Sequence, residues 1–471
     1  MTQTQPASEP ETYDVIVIGG GSTGEVAAER AVLGGLTVAL VEGERFGGEC
    51  SYWACMPSKA LLRPVDVAAA ARRLPGVEVG PIDIGAVLAR RDSFTSNYDD
   101  SGQASWVEGA GIVGVRGHGR LAGKRVVEVA TGGAVRTLKA RHAVIVATGT
   151  TALVPDLPGL RDAAPWTSRE VTSMKAVPGR LVVVGGGVVA CEMARAVKGL
   201  GADSVVMLVR GDALLERSEP WAGELVAEGL RETGVEIRFD TSASSFRRDP
   251  AGVTAVLEDG TSVTGDELLV AFGRRPNTAD LGLDTVGLEP GEGLTVDDSM
   301  RVQGHDWLYA AGDVNGRALL THMGKYQARV AGDVIAARAQ GRPDDRPSMR
   351  ATGPTPQVIF TDPQVTSVGM TEAQAREAGL DVRVIDLPIA VGGSALLADG
   401  YRGRACLVLD GPGPEAVILG ATFVGQDVAE LLHSASVAVV GKVPLSVLWH
   451  AVPSYPTVSE VWLRLLEAAG L

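Results

Sequence analysis

Short apolar runs alternate with longer alanine-rich stretches along most of this 471-residue chain. Runs of this length and composition are typical of strands, and the stretches between them have the length of helices. The pattern therefore predicts an α/β fold. The clearest predicted strands are Tyr13–Ile18, Thr37–Val41, Ala143–Val146, Leu181–Val184 and Ser204–Val209, and another run begins at Leu308.

The same pattern predicts helices and boundaries. Residues 65–110 are predicted to be helical with a polar break, and strands and turns follow through Val146. A further helix is predicted over 331–341, and the Pro-, Asp- and Arg-rich residues 342–350 are predicted to be a linker. Residues 355–471 alternate strands and helices. The length favours about three domains, each able to bury its own core.

The first strand leads into a glycine-rich loop that contains Gly19, Gly21 and Gly24. A helix and a second strand follow, and the second strand ends at Glu42, eighteen residues past Gly24. In such a βαβ unit the glycines let a pyrophosphate approach the helix N-terminus, and the acid holds a ribose hydroxyl pair. This segment is therefore predicted to bind a dinucleotide.

The chain repeats this device after Leu181–Val184, in a loop that contains Gly185, Gly187 and Ala190. The strand that follows ends at Arg210 instead of an acid, and Arg217 lies close behind. A guanidinium pairs with a 2′-phosphate, which an acid would repel. We therefore expect NADPH, in preference to NADH, in a second dinucleotide-binding fold.

Two cysteines, Cys50 and Cys55, follow a diglycine and precede Pro-Ser-Lys59. A turn between them would let the side chains meet, as a redox disulfide needs. A thiolate there would lie near the start of a helix predicted from Lys59, where the helix dipole and the lysine favour negative charge. The alternatives are two buried structural thiols or half of a metal site. No Cys or His nearby completes a zinc set, so no metal is predicted.

Composition narrows the class of protein. The formal net charge of −14 argues against a nucleic-acid partner. Residues 1–11 are polar, so a secretory signal is not expected, and Lys442 and Pro444 interrupt the longest apolar run, so no membrane span is expected. Four cysteines, two of them in one motif, fit a reducing compartment. We expect a cytoplasmic protein.

Together these motifs resemble the pyridine nucleotide–disulfide oxidoreductases, flavoproteins that include dihydrolipoamide dehydrogenase, glutathione reductase and mercuric reductase. The resemblance extends from about Tyr13 to Glu460. Besides the two glycine loops and the cysteine pair, it rests on Ala147-Thr148-Gly149, Gly273-Arg274-Arg275-Pro276-Asn277-Thr278, Ala311-Gly312-Asp313 and Phe360-Thr361-Asp362-Pro363.

The resemblance implies four segments and their cofactors. Residues 1–153 and 277–345 would bind FAD, residues 154–276 would bind NAD(P)H, and residues 346–471 would form the interface of a homodimer. Glu42 would bind the adenosine ribose of FAD and Asp313 its ribitol, although a plain Gly-Asp turn would look alike. The other implied cofactor-binding residues are Gly48, Thr148, Gly149 and Gly312 for FAD and Gly273 for NAD(P)H.

The resemblance also implies a catalytic set. Electrons would pass from NAD(P)H through FAD to a Cys50–Cys55 disulfide. Cys55 would face the flavin, and Cys50 would attack the acceptor. Lys59 and Glu192 match the family's ion pair beside the flavin, and Val188 matches a residue that gates the nicotinamide pocket.

One segment departs from the family. Disulfide-reducing members carry His-Pro-Thr-x-x-Glu, in which the His is the acid/base, whereas this chain has Tyr455-Pro-Thr-Val-Ser-Glu460. A phenol titrates near ~10 and an imidazole near ~6.5, so a tyrosine is disfavoured as a neutral-pH base by roughly 5 kcal/mol. The tyrosine still donates a hydrogen bond. His450 is an alternative proton donor, although an ordinary interface histidine is favoured.

We therefore predict an FAD-dependent NAD(P)H oxidoreductase that reduces a small-molecule or protein disulfide. Mercuric reductases also have Tyr at the position of Tyr455, but this chain ends without their cysteine pair, so Hg(II) is not the expected acceptor. A rival function is direct reduction of a quinone or another electrophile, with Tyr52 and Trp53 as a stacking surface, although simple packing of these rings is favoured. A third is a flavin-bearing subunit with little activity alone.

Overall fold

The computed structural model describes residues 10–343 and 353–471. The first nine residues, most of the predicted linker 342–350 and the predicted domain boundary at 345/346 lie outside the described residues. The described chain divides into two compact units. The first unit comprises residues 10–56, 92–153 and 274–343, and the second comprises residues 57–91, 154–273 and 353–471.

Helices and strands alternate as the hydrophobic pattern predicts. Up to residue 153 the elements are β1 (Glu11–Ile18), α1 (Ser22–Leu33), β2 (Val38–Glu42), α2 (Gly48–Tyr52), α3 (Cys55–Arg72), α4 (Ile84–Phe94), α5 (Ser101–Gly109), β3 (Val113–Arg116), β4 (His118–Leu121), β5 (Val126–Thr131), β6 (Ala134–Val146) and β7 (Thr150–Ala152). From residue 154 to 276 they are α6 (Ser168–Thr172), β8 (Arg180–Val184), α7 (Val188–Gly199), β9 (Ser204–Leu208), α8 (Pro220–Glu232), β10 (Val235–Arg238), β11 (Ala243–Asp249), β12 (Gly252–Leu257), β13 (Ser262–Gly265), β14 (Glu267–Val270) and β15 (Arg274–Pro276).

The remaining described chain completes the first unit and adds a C-terminal sheet to the second. Its elements are β16 (Leu308–Ala310), α9 (Thr321–Ala339), β17 (Gln357–Ile359), β18 (Gln364–Gly369), α10 (Glu372–Glu377), β19 (Arg383–Pro388), α11 (Gly392–Leu397), β20 (Arg404–Leu409), β21 (Ile418–Gly425), α12 (Leu431–Gly441), α13 (Leu445–Leu448) and α14 (Val461–Ala469).

The first unit is built on a sheet in the order β3-β2-β1-β6-β5-β4, with β16 also paired to β6. Strands β1, β2, β3, β6 and β16 are parallel where they pair, whereas β4 and β5 add an antiparallel extension. Val15, Ile16 and Val17 are fully buried, because helices cover both faces of a parallel sheet of this kind. The glycine-rich loop after β1 therefore opens at the carboxyl edge of the sheet.

The second unit repeats the parallel arrangement in the order β10-β9-β8-β14 and adds an antiparallel sheet, β11-β12-β13. Its C-terminal part is an antiparallel sheet in the order β17-β18-β21-β20-β19, whose core includes residues of α12 and α14. These arrangements confirm the predicted fold class, with two Rossmann-like sheets and an α+β C-terminal part. None of the helices in the two described ranges combines the length and the apolar composition that crossing a membrane requires.

Two predicted helices have different limits in the structure. The predicted helix 65–110 is three helices, α3, α4 and α5, and α3 begins at Cys55 rather than Lys59. The helix predicted over 331–341 is α9, which begins ten residues earlier at Thr321. Gly324 and Gly332 lower the intrinsic helix propensity of α9, but both face α1 at close range, so tertiary packing overrides propensity.

Close packing of α1 and α9 yields a prediction about stability. A Cβ at Gly332 would lie 2.5 Å from the Cβ of Arg30, next to the Arg30–Asp333 ion pair that joins the two helices. Gly332→Val should overpack this contact and lower the free energy of unfolding by about 1–3 kcal/mol, measured as a lower thermal midpoint. The control is Gly102→Val in α5, where a Cβ meets nothing within 4 Å. Equal midpoints for the two variants would contradict the prediction.

Candidate active site

The loop between β1 and α1 is shaped by glycines at positions where a side chain has no room. Gly19 has a φ of +105°, and a Cβ at Gly24 would overlap the carbonyl oxygen of Gly19. Gly21 is the N-cap of α1 and has no side chain to cap the helix. The first N–H groups of a 12-residue helix are therefore open to an anion, as a pyrophosphate site requires.

Glu42 lies at the end of β2, and both of its oxygens accept backbone N–H groups. Oε2 accepts from Gly20 at 2.7 Å, and Oε1 accepts from Glu44 at 2.6 Å. Burial raises the pKa of this carboxyl, although the two hydrogen bonds oppose the shift. Each oxygen keeps acceptor capacity for a further donor, which suits binding of a diol.

Asp313 lies in a single turn after β16, and the structure connects it to the segment that carries the two cysteines, residues 47–59, here called the redox segment. Its Oδ2 accepts from the Thr150 hydroxyl at 2.8 Å, and that hydroxyl accepts from Arg274 Nε at 2.6 Å. Arg274 also donates to Glu49 Oε2 at 2.6 Å. Burial raises the pKa of Asp313, and the Thr150 hydrogen bond opposes this. A chain of polar contacts therefore joins Asp313 to the residue that precedes Cys50.

The remaining predicted contacts of the first unit lie in turns. Gly149 has a φ of +68°, and Gly312 has a φ of +82°. The carbonyl oxygen of Gly149 accepts from the backbone N–H of Asn277 at 3.0 Å, and the Thr148 hydroxyl donates to the Asn277 carbonyl oxygen at 2.9 Å. Gly312 donates its N–H to Gln327 Oε1 at 2.8 Å.

The two cysteines lie on successive helices. Cys50 is in the middle of the short helix α2, the chain turns at Trp53 and Ala54, and Cys55 is the first residue of α3. The turn that was predicted between the cysteines is therefore confined to two residues. Gly48 has a φ of +60°, and a Cβ there would lie 2.7 Å from the Cα of Gly21. The redox segment consequently rests on the loop of residues 19–24, the predicted phosphate-binding loop.

The thiols of Cys50 and Cys55 are hydrogen-bonded to each other, and both side chains are partly buried. The Cys55 Sγ lies 3.2 Å from the Thr321 hydroxyl at the start of α9. The hydrogen bond with Cys55 and burial raise the pKa of Cys50, while Thr321 and the positive charge of Lys325 act to lower it. Cys55, at the N-terminus of an 18-residue helix, is the better placed of the two to carry a negative charge.

In the second unit the structure brings Lys59 and Glu192 together. The Lys59 Nζ donates to Glu192 Oε2 at 2.7 Å, and the Glu192 side chain is 4% and the Lys59 side chain 35% exposed. Glu192 Oε1 accepts the backbone N–H of Phe360 at 2.9 Å, and the Lys59 Nζ lies 4.9 Å from the centroid of the Phe360 ring. Both carboxylate oxygens are therefore satisfied.

The second glycine loop connects β8 to α7. Gly185 has a φ of +130°, Gly187 is the N-cap of the 12-residue helix α7, and Ala190 is buried within that helix. Arg210 lies two residues beyond the end of β9, and its side chain and that of Arg217 are exposed. In the described ranges neither arginine forms an ion pair, so both are available to a phosphate. Gly273 follows β14 and has a φ of +113°.

Two family models match this chain. A model described as pyridine nucleotide-disulphide oxidoreductase matches residues 13–341, and a model described as the dimerisation domain of those enzymes matches residues 355–466. This chain belongs to the pyridine nucleotide-disulphide oxidoreductase family. The resemblance seen in the sequence is thereby confirmed. The dimerisation domain implies a homodimer, and FAD and NAD(P) are the cofactors typical of this family.

Known relatives of this oxidoreductase align over nearly its whole length. The dihydrolipoyl dehydrogenase of Haloferax volcanii is 31% identical over 470 residues, which cover 97% of this chain and 96% of that protein. The mercuric reductase of Shigella flexneri is 32% identical over 462 residues, covering 95% and 79%. The structure of the HOCl-induced flavoprotein disulfide reductase RclA from Escherichia coli has a TM-score of 0.83 over 97% of this chain and 99% of that chain, with 24% identity, and supports the fold alone.

The first unit of this oxidoreductase fits FAD on structural grounds. Gly19, Gly21 and Gly24 form a cradle that any Cβ at Gly19 or Gly24 would fill, and the open end of α1 suits a pyrophosphate. Glu42 and Asp313 then lie at the ends of β2 and β16, at the same edge of the sheet. This arrangement places two carboxylates, which accept hydrogen bonds from hydroxyl groups, at that edge.

Sequence reasoning missed several residues of this site. Glu25 is buried beside the redox segment, and burial, only partly opposed by Lys325, raises its pKa to about 7. Thr150 and Glu49 gave no signal, because their partners lie more than a hundred residues away in the chain. Thr321 was missed because the predicted helix began ten residues too late. Arg274 belongs to the segment 273–278 that carries the family resemblance, but the sequence does not indicate its contacts with Thr150 and Glu49.

The aromatic residues between the cysteines do not form an open surface. Tyr52 is 2% and Trp53 is 8% exposed, with their ring centroids 5.6 Å apart. The guanidinium of Arg45 lies 5.2 Å from the centroid of the Trp53 ring. The idea that these rings offer a stacking surface to a flat acceptor is therefore wrong, and they pack inside the first unit.

Tyr455 and Glu460 meet the same short helix, α11. Tyr455 is 79% exposed and lies against Gly392, where a Cβ would be 3.2 Å from the tyrosine ring. Glu460 Oε2 accepts the backbone N–H of Gly393 at 3.2 Å. The alternative donor, His450, is exposed after α13. Glu460 thus accepts a hydrogen bond from the backbone of α11 in this structure.

The Thr321 contact yields a prediction about thiol chemistry. Thr321→Val removes a hydroxyl that stabilises an anionic Cys55, a hydrogen bond to a charged group being worth about 1.5–3 kcal/mol. The pH midpoint for alkylation of Cys55, measured with iodoacetamide in a Cys50→Ser background, should rise by about 1–2 units. Thr321→Ser keeps the hydroxyl and is the control. A midpoint that does not move in Thr321→Val would show that the hydroxyl does not stabilise the anion.

Proposed function

We propose that this oxidoreductase uses NADPH to reduce disulfides through FAD and the Cys50–Cys55 pair. The observation that carries the proposal is the contact between the two thiols at the start of α3, on a segment that Gly48 holds against the phosphate-binding loop. FAD, when bound, supplies two-electron transfer between a nicotinamide and a thiol pair. The roles of the individual residues below are part of this proposal.

The thiols then carry out an exchange with the acceptor. The Cys50 sulfur attacks one sulfur of the acceptor disulfide, which forms a mixed disulfide and releases the first thiol. The Cys55 sulfur attacks Cys50, which re-forms the Cys50–Cys55 disulfide and releases the second thiol. The net reaction is NADPH + H⁺ + RSSR → NADP⁺ + 2 RSH. Lys59 and Glu192 serve this cycle as the fixed charge pair of the second unit.

Proton handling in this exchange differs from that of family members with a histidine. The partner subunit's Tyr455 serves as a hydrogen-bond donor to the departing thiol, as the family's shared dimer sites imply. At neutral pH a phenol stays protonated, so it can donate a hydrogen bond but cannot act as a base. The raised pKa of Cys50 also makes its thiolate scarce at that pH. Disulfides that release an acidic thiol are therefore the favoured acceptor class, because a leaving thiol of lower pKa departs faster and needs less help from a proton donor.

Two observations bear on the choice of cofactor and on the rival functions. Arg210 and Arg217 are exposed where a 2′-phosphate would lie after β9, which favours NADPH.

The buried Tyr52 and Trp53 give no support to a quinone-stacking surface. Mercuric reductases are among the relatives, so Hg(II) belongs in any panel of acceptors. A reducing compartment such as the cytoplasm suits a dithiol of this kind.

Removal of Cys50 tests the proposal. Cys50→Ser should lower turnover with a disulfide acceptor by ~10³-fold or more, because the attacking sulfur is lost. Anaerobic NADPH should give the wild type long-wavelength absorbance from a thiolate beside the flavin, whereas the variant should show that band before reduction. Cys406→Ala, at a buried cysteine of β20, is the control. Bleaching of the flavin with identical spectra in wild type and Cys50→Ser would make the cysteines bystanders.

A charge reversal tests the NADPH preference. Arg210→Glu should raise the KM for NADPH by about 10-fold to 100-fold, because a charge-assisted hydrogen bond to phosphate is replaced by repulsion. The KM for NADH should change less than about threefold, since NADH has no 2′-phosphate. The control is Arg247→Glu, at an exposed arginine of β11 in the same half of the second unit. Equal increases for both nucleotides would refute the assignment.

A further inference from the structure

Two ion pairs join α3 to α7 in the second unit. The first is Lys59–Glu192, and the second is Asp66–Arg195, in which Arg195 Nη2 donates to Asp66 Oδ1 at 2.7 Å. Lys59 and Asp66 are two turns apart on α3, and Glu192 and Arg195 are one turn apart on α7. The signs are crossed, since α3 supplies the cation of one pair and the anion of the other.

A segment from the dimerisation domain, Phe360–Asp362, contacts both pairs. The backbone N–H of Phe360 donates to Glu192 Oε1 at 2.9 Å, and the Phe360 ring lies beside the Lys59 Nζ. Asp362 Oδ2 lies 3.1 Å from Arg195 Nη1 and also accepts from Arg73 near the end of α3. The segment therefore bonds to Glu192 at one end and to Arg195 at the other.

These contacts involve buried charges, which are stable only when their partners are present. The Arg195 side chain is 3% exposed, and a buried guanidinium requires charged partners. Burial acts to raise the pKa of Asp362, but Arg195 and Arg73 outweigh it and hold that pKa below its usual range. Burial raises the pKa of Asp66, and Arg195 opposes the shift. Asp362 is therefore an anion at neutral pH. It would lose its charged interactions with Arg195 and Arg73 only when the pH falls through its lowered pKa.

We propose that Asp362 is a positioning residue for the Lys59–Glu192 pair. By holding Arg195, it docks Phe360 on α7, so that the Phe360 N–H occupies Glu192 Oε1 and leaves Oε2 to Lys59. The dimerisation domain thereby sets the position of the Lys59 ammonium. This inference rests on the proposed function only in assuming that the Lys59–Glu192 pair is needed for reduction by NADPH.

The Asp362→Asn variant is expected to fold. In Asp362→Asn, Arg195 keeps Asp66 as a partner. A polar cavity of about 200 Å³ adjoins these side chains, lined in part by Arg63, Arg73 and Gln426, so the substituted side chain can be solvated there. A difference between this variant and the wild type therefore reports on position rather than on loss of structure.

The first measurement is amide hydrogen exchange of the peptide that contains Phe360, which needs no turnover. Asp362→Asn should accelerate exchange of that amide by about 10-fold or more, because local opening becomes easier. Asp362→Glu, which keeps the charge, should restore most of the protection. The control is Glu232→Gln, which breaks the exposed Arg402–Glu232 pair, another link between the dimerisation domain and the nucleotide-binding half. Unchanged exchange in Asp362→Asn would overturn the docking role.

The second measurement is the rate at which NADPH reduces the flavin in anaerobic stopped flow. Asp362→Asn should lower the limiting rate by about 10-fold to 100-fold, as expected for a small misplacement, with an apparent Kd for NADPH within about threefold of wild type. In the Glu192→Gln background the same change should add less than about twofold, because both act through one group. If the effects of Asp362→Asn and Glu192→Gln on the limiting rate multiply fully in the double variant, the positioning role is refuted. A lowered limiting rate in the Glu232→Gln control would refute it as well. If Glu192→Gln itself reduces flavin normally, the proposed function of the pair fails, whatever the exchange data show for Asp362.

Discussion

One backbone hydrogen bond fixes the position of the cysteine pair in the first unit. The N–H of Gly47 donates to the carbonyl oxygen of Gly20 at 2.8 Å, and the next residue, Gly48, packs directly on Gly21. A side chain at Gly48 would push the redox segment away from the phosphate-binding loop. Cys50 comes two residues later, so the place of the thiols depends on this approach of two glycine-containing loops. Glycine serves here because it allows both the positive φ and the close contact.

The sequence predicted those features whose signals are local. The loops Gly19–Gly24 and Gly185–Ala190 follow apolar strands directly, and Glu42 lies at a strand end, so spacing alone placed them. The meeting of Lys59 and Glu192, 133 residues apart, was available only through family resemblance. Thr321 and Asp362 could not be found from periodicity, because their roles come from partners that are distant in the chain. The early start of α9 escaped prediction because packing against α1 outweighs the cost of its glycines.

The exchange of histidine for Tyr455 changes what its neighbour can do. In members with histidine the glutamate holds the imidazole, whereas here Glu460 accepts the N–H of Gly393 at the start of α11. The carboxylate thus hydrogen-bonds to the backbone, and the exposed Tyr455 ring lies against Gly392. The cysteine pair and the two glycine loops, which the proposed mechanism uses for electron transfer, keep the pattern of the family. Under the proposed mechanism the change falls on the part that would handle protons, so it bears on which acceptor is favoured.

The Lys59–Glu192 pair shows why the C-terminal part is more than a dimerisation surface. Glu192 is 4% exposed, and a carboxylate so deeply buried is tolerated only when both oxygens have donors. Lys59 supplies one donor from α3, and Phe360 supplies the other from the dimerisation domain. Without the Phe360 N–H, Glu192 Oε1 would lose its donor. The charge on α3 is therefore held in place by two different parts of the chain, and its geometry is a property of the second unit as a whole.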